Sequence, residues 1–351
     1  MTVLADLLIR QIAATGPITL ADYMSQCLLH PAHGYYTTRP PFGAEGDFTT
    51  APEISQMFGE LLGLALAQSW LDQGAPAPFT LAELGPGRGT LMADVLRATR
   101  SVPGFHDAAQ ITLVEASPAL RAAQTQRLHP CPLHHLDVAD GLPDQPLFLL
   151  ANEFFDALPI HQFHFDGRHW RERLVGLRDG KLALGLSDPL PTPPATPAFA
   201  DPAPGQVVEL CLAAGPVMQA IATRIRRHGG VALIVDYGGW RSSGDTFQAL
   251  RRHAFADPLA EPGRADLTAH VDFEALADLA ALPMRYDEQG AVLRRLGIDA
   301  RAQRLAQNMP ADRLQSHLAA HRRLTDASEM GSLFKVLALH GPGTPPPPGF
   351  V

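Results

Sequence analysis

Residues Phe79 to Leu91 read FTLAELGPGRGTL. Phe79, Leu81 and Leu84 carry the apolar pattern of a β-strand, and the glycines Gly85, Gly87 and Gly89 follow at once. Thr90 then opens a helical segment that includes Leu91, Val95 and Leu96. A strand, a glycine turn and a helix in this order let a ligand approach bare backbone and aim the helix's free N–H groups at it. The glycines alone would equally close a tight turn that binds nothing, so their neighbours decide.

A dinucleotide fingerprint spaces its glycines as G-x-G-x-x-G and seats a pyrophosphate. Here the order is Glu83-x-Gly85-x-Gly87-x-Gly89. A carboxylate two residues before the first glycine repels a pyrophosphate and complements a cation. S-adenosylmethionine, with its ammonium and sulfonium, is such a cation. Downstream, Ile111 to Val114 forms a short apolar strand ending in Glu115, placed to accept hydrogen bonds from ribose hydroxyls. The expected cofactor is therefore S-adenosylmethionine, held by Glu83, Gly85, Gly87, Gly89 and Glu115.

Length and composition bound the rest. With 351 residues and 46% hydrophobic content, the chain can bury a sizeable core. A formal charge of -8 with no compensating basic run argues against a nucleic-acid partner. Arg226-Arg227, Arg251-Arg252 and Arg322-Arg323 are isolated pairs that suit solvated helix faces. Cys27, Cys131 and Cys211 are too few and too scattered for a disulfide framework or a zinc site, so no metal is expected and a reducing compartment is. No run of 18 apolar residues is present, and membrane insertion is not expected. The N-terminal stretch has helical apolar spacing at Leu4, Leu7, Leu8 and Ile12, but it carries Asp6 and lacks the basic flank and cleavage site of a signal peptide.

Along the chain, Gly16-Pro17 ends that first helix and Thr19 caps a second one running to Leu29. Aromatic, glycine and hydroxyl residues crowd His33 to Glu53, which reads either as a loop covering a ligand or as an ordinary surface loop capped by Thr49 or Thr50. After the glycine turn, helix Ser117–Leu128 and strands Cys131–Leu136 and Pro146–Leu150 alternate, which means a doubly wound parallel sheet. Ligands then bind beyond the strands' carboxyl ends, where Glu83, Glu115, Asp137, Asn152 and Glu153 should converge. Asp137 could recognise an adenine edge or be a solvated acid. Asn152, Glu153 and Asp156, beside Phe154 and Phe155, make a polar cluster with apolar walls.

His161–Phe165 and His169–Leu174 look like paired strands around Asp166-Gly167. Seven prolines between Asp188 and Gly205 read as a surface loop or linker. A helix over 215–228 and a strand over 231–235 ending in Asp236 follow. Residues 244–270 read as loop-rich, 271–282 and 291–321 as helical, 332–339 as a last strand, and 341–351 as a mobile tail. The segments thus divide into an N-terminal helical cap (1–75), a cofactor-binding core (76–240) with a proline-rich insert (188–205), a mainly helical cap (241–330), a returning strand (331–340) and the tail.

The blocks GYYTT, GDFTTAPEISQMFGE (46–60), ELGPGRG (83–89), LVEASPAL (113–120), NEFFDALP (152–159), IVDYG (234–238), GDTFQALRRH (244–253) and DLTAHVDF (266–273) together resemble the MidA-like family of S-adenosylmethionine-dependent methyltransferases. Its mitochondrial members are complex I assembly factors that methylate an arginine of a core subunit. The similarity extends from about Ala5 to Leu339. It implies an α/β fold, a class I methyltransferase (Rossmann-like) doubly wound sheet with added N-terminal and C-terminal helical segments. It implies a protein substrate, a complex I subunit, with a homodimer as a candidate assembly. The matching positions are Gly85, Gly87 and Gly89 for the cofactor, Glu115 for its ribose, and Asn152, Glu153 and Asp156 beside the transferred methyl group, with Asn152 also on the cofactor side. A guanidinium stays protonated near neutral pH, so a methylated arginine needs carboxylates to grip two N–H groups, and Glu153, Asp156 and Glu53 are the candidates. Where the family commonly has a tryptophan just before Asp137, this chain has His134-His135, which leaves the adenine side open. A non-catalytic assembly factor that binds the cofactor, and a methyltransferase acting on a small molecule, fit the same motifs. The expected location is a bacterial cytoplasm, or the mitochondrial matrix for a processed eukaryotic form.

Overall fold

The strand that precedes the glycine turn is buried along its whole length, as a central parallel strand must be when helices cover both faces of its sheet. The computed structural model describes residues 2–38, 49–194, 196–307 and 309–350. These form two compact units interleaved along the chain, one made of 49–155, 216–239 and 272–350, the other of 2–38, 156–215 and 240–271.

The first unit contains the central sheet. Its strands are β1 (Phe79–Leu84), β2 (Ala109–Val114), β3 (Leu133–Leu136), β4 (Leu147–Asn152), β5 (Gly230–Gly239), β6 (Met284–Glu288) and β7 (Phe334–His340), in the spatial order β6-β7-β5-β4-β1-β2-β3. Strands β1 to β5 pair in parallel, and β7 runs antiparallel between β5 and β6. This is the class I methyltransferase-like sheet the resemblance implied. The chain leaves β1 toward β2 and β3, then returns to the other side of β1 as β4. The switch point, where doubly wound sheets open a crevice, therefore lies between the carboxyl ends of β1 and β4. Leu84 pairs with Ala151 there, so the glycine turn and Asn152–Phe155 leave the sheet side by side.

An aromatic cluster fixes the helix Gln56–Asp72 to this sheet. Trp70 and Phe79 have ring centroids 5.7 Å apart, Phe79 and Phe105 5.0 Å, and Phe79 and Phe148 5.3 Å. Buried Glu60 on the same helix takes Arg97 (3.0 Å) and both nitrogens of an Arg301 fork (2.8 and 3.0 Å), so helix Ile298–Ala306 is tied to the core by a bidentate pair. The stretch 291–321 is three helices in succession, Gln289–Arg295, Ile298–Ala306 and Ala311–Thr325, with breaks at Gly297 and Pro310. The tail expected to be mobile is anchored: Phe350 packs on the core and the Gly349 carbonyl accepts from Arg295 (2.7 Å).

In the second unit, Val3–Thr15 and Leu20–Leu29 are helices, the latter opened by a reciprocal capping box between Thr19 and Asp22. They accompany an antiparallel sheet ordered Ile18–Thr19, Trp170–Arg178, His161–Phe165, Val207–Leu210, with Lys181–Leu186 pairing with Trp170–Arg178. The expected hairpin is present, with Phe165 opposite Trp170. The proline-rich stretch is not purely surface. Phe199 is buried against Trp170 (4.6 Å between ring centroids) and Phe163 (5.3 Å), because an apolar ring within a polar loop gains by leaving water. Residues 244–270 hold three short strands, ordered Ala254–Ala256, Gln248–Arg251, Asp266–Thr268. Much of the aromatic loop singled out between His33 and Glu53 lies outside the described residues. Among the described residues no helix is long and apolar enough to cross a membrane, and no cluster of His, Cys, Asp and Glu could hold a metal ion.

Candidate active site

The glycine turn folds as its sequence requires. Gly85, Gly87 and Gly89 have φ of +60°, +52° and +76°, a region L side chains rarely adopt. At Gly85 space is also lacking, since a Cβ there would stand 2.9 Å from Cδ2 of Phe154. The turn and the Phe154 ring are thus interlocked. Helix Thr90–Thr99 starts directly after Gly89.

Glu83, at the end of β1, is 3% exposed, and among the described residues its Oε2 has no hydrogen-bond partner. Burial pushes its carboxyl up to about 8, against a hydrogen bond from the Met92 N–H and with help from Glu115 and Asp94. Glu115, at the end of β2, is also buried. Its Oε1 accepts from the Ser117 N–H (2.8 Å) and its Oε2 from Gln124 (3.3 Å). Burial moves its carboxyl upward, and those two donors and Arg121 oppose the shift. Asn152 ends β4, 9% exposed, with Oδ1 unpartnered among the described residues.

Glu153 adopts φ of +50°, unusual for a residue other than glycine. Its N–H donates to the Val235 carbonyl (2.9 Å), and its Oε1 accepts from the Ala51 N–H and the Asn152 amide (3.2 Å each). Glu53 accepts from Arg88 (2.5 Å) and from the Thr90 hydroxyl (2.6 Å), so it is tied to the glycine turn. Asp137 stands 80% exposed in a pair with Arg121 (2.6 Å). The structure thus brings Glu83, the three glycines, Glu115, Asn152, Glu153 and Glu53 to the carboxyl ends of one sheet, with Asp137 at its wet margin. Asp156 begins the middle segment of the second unit. It is buried there, and its carbonyl accepts from the Ala269 N–H (3.0 Å).

Three further residues take part. Asp236, at the end of β5, is fully buried. Its Oδ2 accepts from the N–H groups of Phe154 (3.2 Å) and Phe155 (3.0 Å), and its Oδ1 from Tyr237 (2.9 Å). It fixes the loop that carries Glu153, and its position after an apolar strand was the visible signal. Gln124 reaches the Gly87 carbonyl (2.7 Å), and as a polar residue midway between Leu120 and Leu128 on a helix stripe it could have been noticed. Arg88 carried no sequence signal.

The residues fit S-adenosylmethionine on an observation independent of the motif. Among the described residues, two buried acceptors here, Glu83 Oε2 and Asn152 Oδ1, and one buried donor, Arg88 Nε, have no hydrogen-bond partner. An α-ammonium and an α-carboxylate supply the opposite polarity to each, and buried polar atoms are seldom left unpaired without a reason.

Comparison with known proteins agrees. A family described as "Putative S-adenosyl-L-methionine-dependent methyltransferase" matches residues 61–290. The protein named protein arginine methyltransferase NDUFAF7, mitochondrial, of Homo sapiens is 38% identical over 364 residues, covering 95% of this chain and 82% of its own length. The Drosophila melanogaster homologue is 38% identical over 376 residues, covering 96% and 84%. A crystal structure from Burkholderia thailandensis, determined with S-adenosyl-homocysteine bound, superposes with a TM-score of 0.83 at 29% identity, covering 99% of this chain and 92% of that one.

Proposed function

This chain belongs to that S-adenosylmethionine-dependent methyltransferase family, and on that premise we propose that it methylates an arginine side chain of a protein, a subunit of NADH:quinone oxidoreductase (complex I). The observation that carries the reading is Glu153, a carboxylate held in a strained backbone conformation at the cofactor end of β4. Relatives 37–39% identical and named protein arginine methyltransferases support it.

Bound S-adenosylmethionine supplies an electrophilic methyl group on a sulfonium. Glu83 and Asn152 would take its ammonium, the Gly85–Gly89 turn would admit its chain against bare backbone, and Glu115 would accept from its ribose hydroxyls. Glu153 would take N–H groups of the substrate guanidinium, and Asp156 stays the second candidate that the motif offers. A guanidinium is charged before and after methylation, the proton lost from the attacked nitrogen balancing the methyl cation gained, so the protein's part is to hold one nitrogen in line and to offset charge, with a carboxylate receiving the proton released. Glu53 already holds Arg88 and Thr90, which suits steadying the glycine turn better than gripping substrate. Asp236, by fixing Phe154 and Phe155, sets where Glu153 stands. The reaction belongs in a bacterial cytoplasm or in a mitochondrial matrix.

The test is to incubate the protein with S-adenosylmethionine bearing a deuterated methyl group and an extract from cells lacking the gene, then map labelled tryptic peptides by mass spectrometry. A heavy methyl on an arginine of a complex I subunit is the expected result. Glu153→Gln should slow labelling about a hundredfold, the scale of one lost charge-assisted hydrogen bond at a reacting centre. Label confined to low-mass compounds, or full labelling by Glu153→Gln, would overturn the assignment.

A further inference from the structure

Helix Pro118–Leu128 buries three residues, Leu120, Gln124 and Leu128, and the middle one is polar. Gln124 is fully buried, and its amide is used at both ends. Nε2 donates to the Gly87 carbonyl (2.7 Å) and to Glu115 Oε2 (3.3 Å), while Oε1 meets His135 Nε2 (2.9 Å). Two acceptors at one end and a ring nitrogen at the other fix the amide's orientation and place a proton on His135 Nε2. A core amide satisfied in this way is costly to misplace, because each broken contact leaves a buried group unpaired.

The partners of Gln124 come from different elements: Gly87 from the cofactor turn, Glu115 from the end of β2, and His135 from β3. His135 lies in the stretch where the sequence departs from the family it resembles. The same helix adds Arg121, whose Nε donates to the Glu115 carbonyl (2.6 Å). Glu115 is thus clamped from its side chain and its backbone, while the turn is clamped at its central glycine.

We infer that Gln124, latched by His135, is a positioning residue for the cofactor's ribose: it ties the glycine turn to Glu115 and holds that carboxylate in the one rotamer from which it accepts the ribose hydroxyls. The helix could pack with an apolar residue at this position; what only the amide supplies is the link between turn and acid. Its loss should therefore be felt by ligands in proportion to their ribose hydroxyls, and not by the fold alone.

The test uses calorimetric binding of S-adenosylhomocysteine and of its 2′,3′-dideoxy analogue, with no methyl acceptor, so it does not depend on which substrate is methylated. Gln124→Met keeps the side-chain volume and removes all three contacts. It should weaken S-adenosylhomocysteine about tenfold to a hundredfold and the dideoxy analogue less than about threefold. Equal losses on both ligands, or none on either, overturn the proposal. If Gln124→Met does not fold, His135→Leu at a half-exposed position carries the test. It should weaken S-adenosylhomocysteine about threefold to tenfold and spare the analogue, and parallel losses would again overturn the inference.

Discussion

Carboxylates are treated in opposite ways in the antiparallel part of the second unit and at the β1–β4 switch point of the sheet unit. In the second unit, Glu209 takes the Gln162 amide (2.7 Å), the Thr246 N–H (3.0 Å) and the Thr246 hydroxyl. Asp245 there takes Arg173 and Gln162, and Asp266 takes the Tyr36 phenol (2.7 Å). In the sheet unit, Glu83 keeps an oxygen with no donor among the described residues, and Asn152 beside it does the same. A buried acceptor without a partner costs stability, so the arrangement persists only where something outside the fold completes it. The saturated acids serve the fold, in the second unit as at Glu60 and Asp236 of the sheet unit, and the unsaturated Glu83 and Asn152 at the β1–β4 switch point are reserved for a ligand.

The sharpest way to break that comparison is through pH. Glu83 has its carboxyl raised from the ordinary value to about 8 by burial. In the ligand-free protein the folded state holds a proton there that the unfolded chain has already lost. The stability this confers is full below the ordinary glutamate range and is lost as pH rises through about 8. A cationic ligand favours the carboxylate, so below pH 8 binding must expel that proton. The expected outcome is that S-adenosylhomocysteine binds up to about tenfold tighter per pH unit between about pH 6 and 8 and levels off above. Titrations in buffers of different ionisation enthalpy should count close to one proton released, and Glu83→Gln should flatten the slope. A pH-independent affinity with no proton released would mean that Glu83 is another structural acid.

The polar groups at the switch point were legible in the sequence because each stands at the end of a β-strand: Glu83, Glu115 and Asn152 needed only the strand–turn–helix alternation to be placed at one crevice. The parallel, doubly wound character of the sheet followed from the same alternation, but its order, with antiparallel β7 between β5 and β6, did not. The clamps were not legible. Glu53 meets Arg88 across 35 positions and Arg301 meets Glu60 across 241, and no local period encodes such pairs. The second unit was read only piecemeal for a related reason. Its antiparallel strands come from three separated stretches, and its core ring Phe199 sits among prolines that locally signal surface. Where chemistry is written in consecutive residues the sequence speaks, and where the fold collects single residues from distant segments it does not.

A smaller effect tests the other half of the comparison. The Thr246 hydroxyl donates to Glu209 and accepts from the His270 N–H (2.8 Å). Thr246→Val keeps the shape and removes both contacts. Chemical denaturation should show about 1–3 kcal/mol lost, the cost of leaving such groups unpaired, while the S-adenosylhomocysteine Kd stays within about twofold. A weakened Kd with unchanged stability would mean that the saturated network serves the ligand as well.

The smallest expected change is at Asp137, which sits between the two classes. It stands at a strand end like the ligand acids, yet it is 80% exposed and already has a partner in Arg121. An exposed pair is screened by water and salt and contributes little to stability. By exposure Asp137 belongs with neither the saturated nor the reserved acids, so Asp137→Asn should change the S-adenosylhomocysteine Kd by less than about threefold at physiological salt, and less still at high salt. Arg121 would keep its second contact, to the Glu115 carbonyl, so the ribose side should not feel the change. A tenfold loss confined to ligands with an intact adenine amino group would instead make Asp137 a reserved acid, one that leaves Arg121 for the base when the cofactor arrives. Position at a strand end would then count for more than burial in marking which acids serve the ligand.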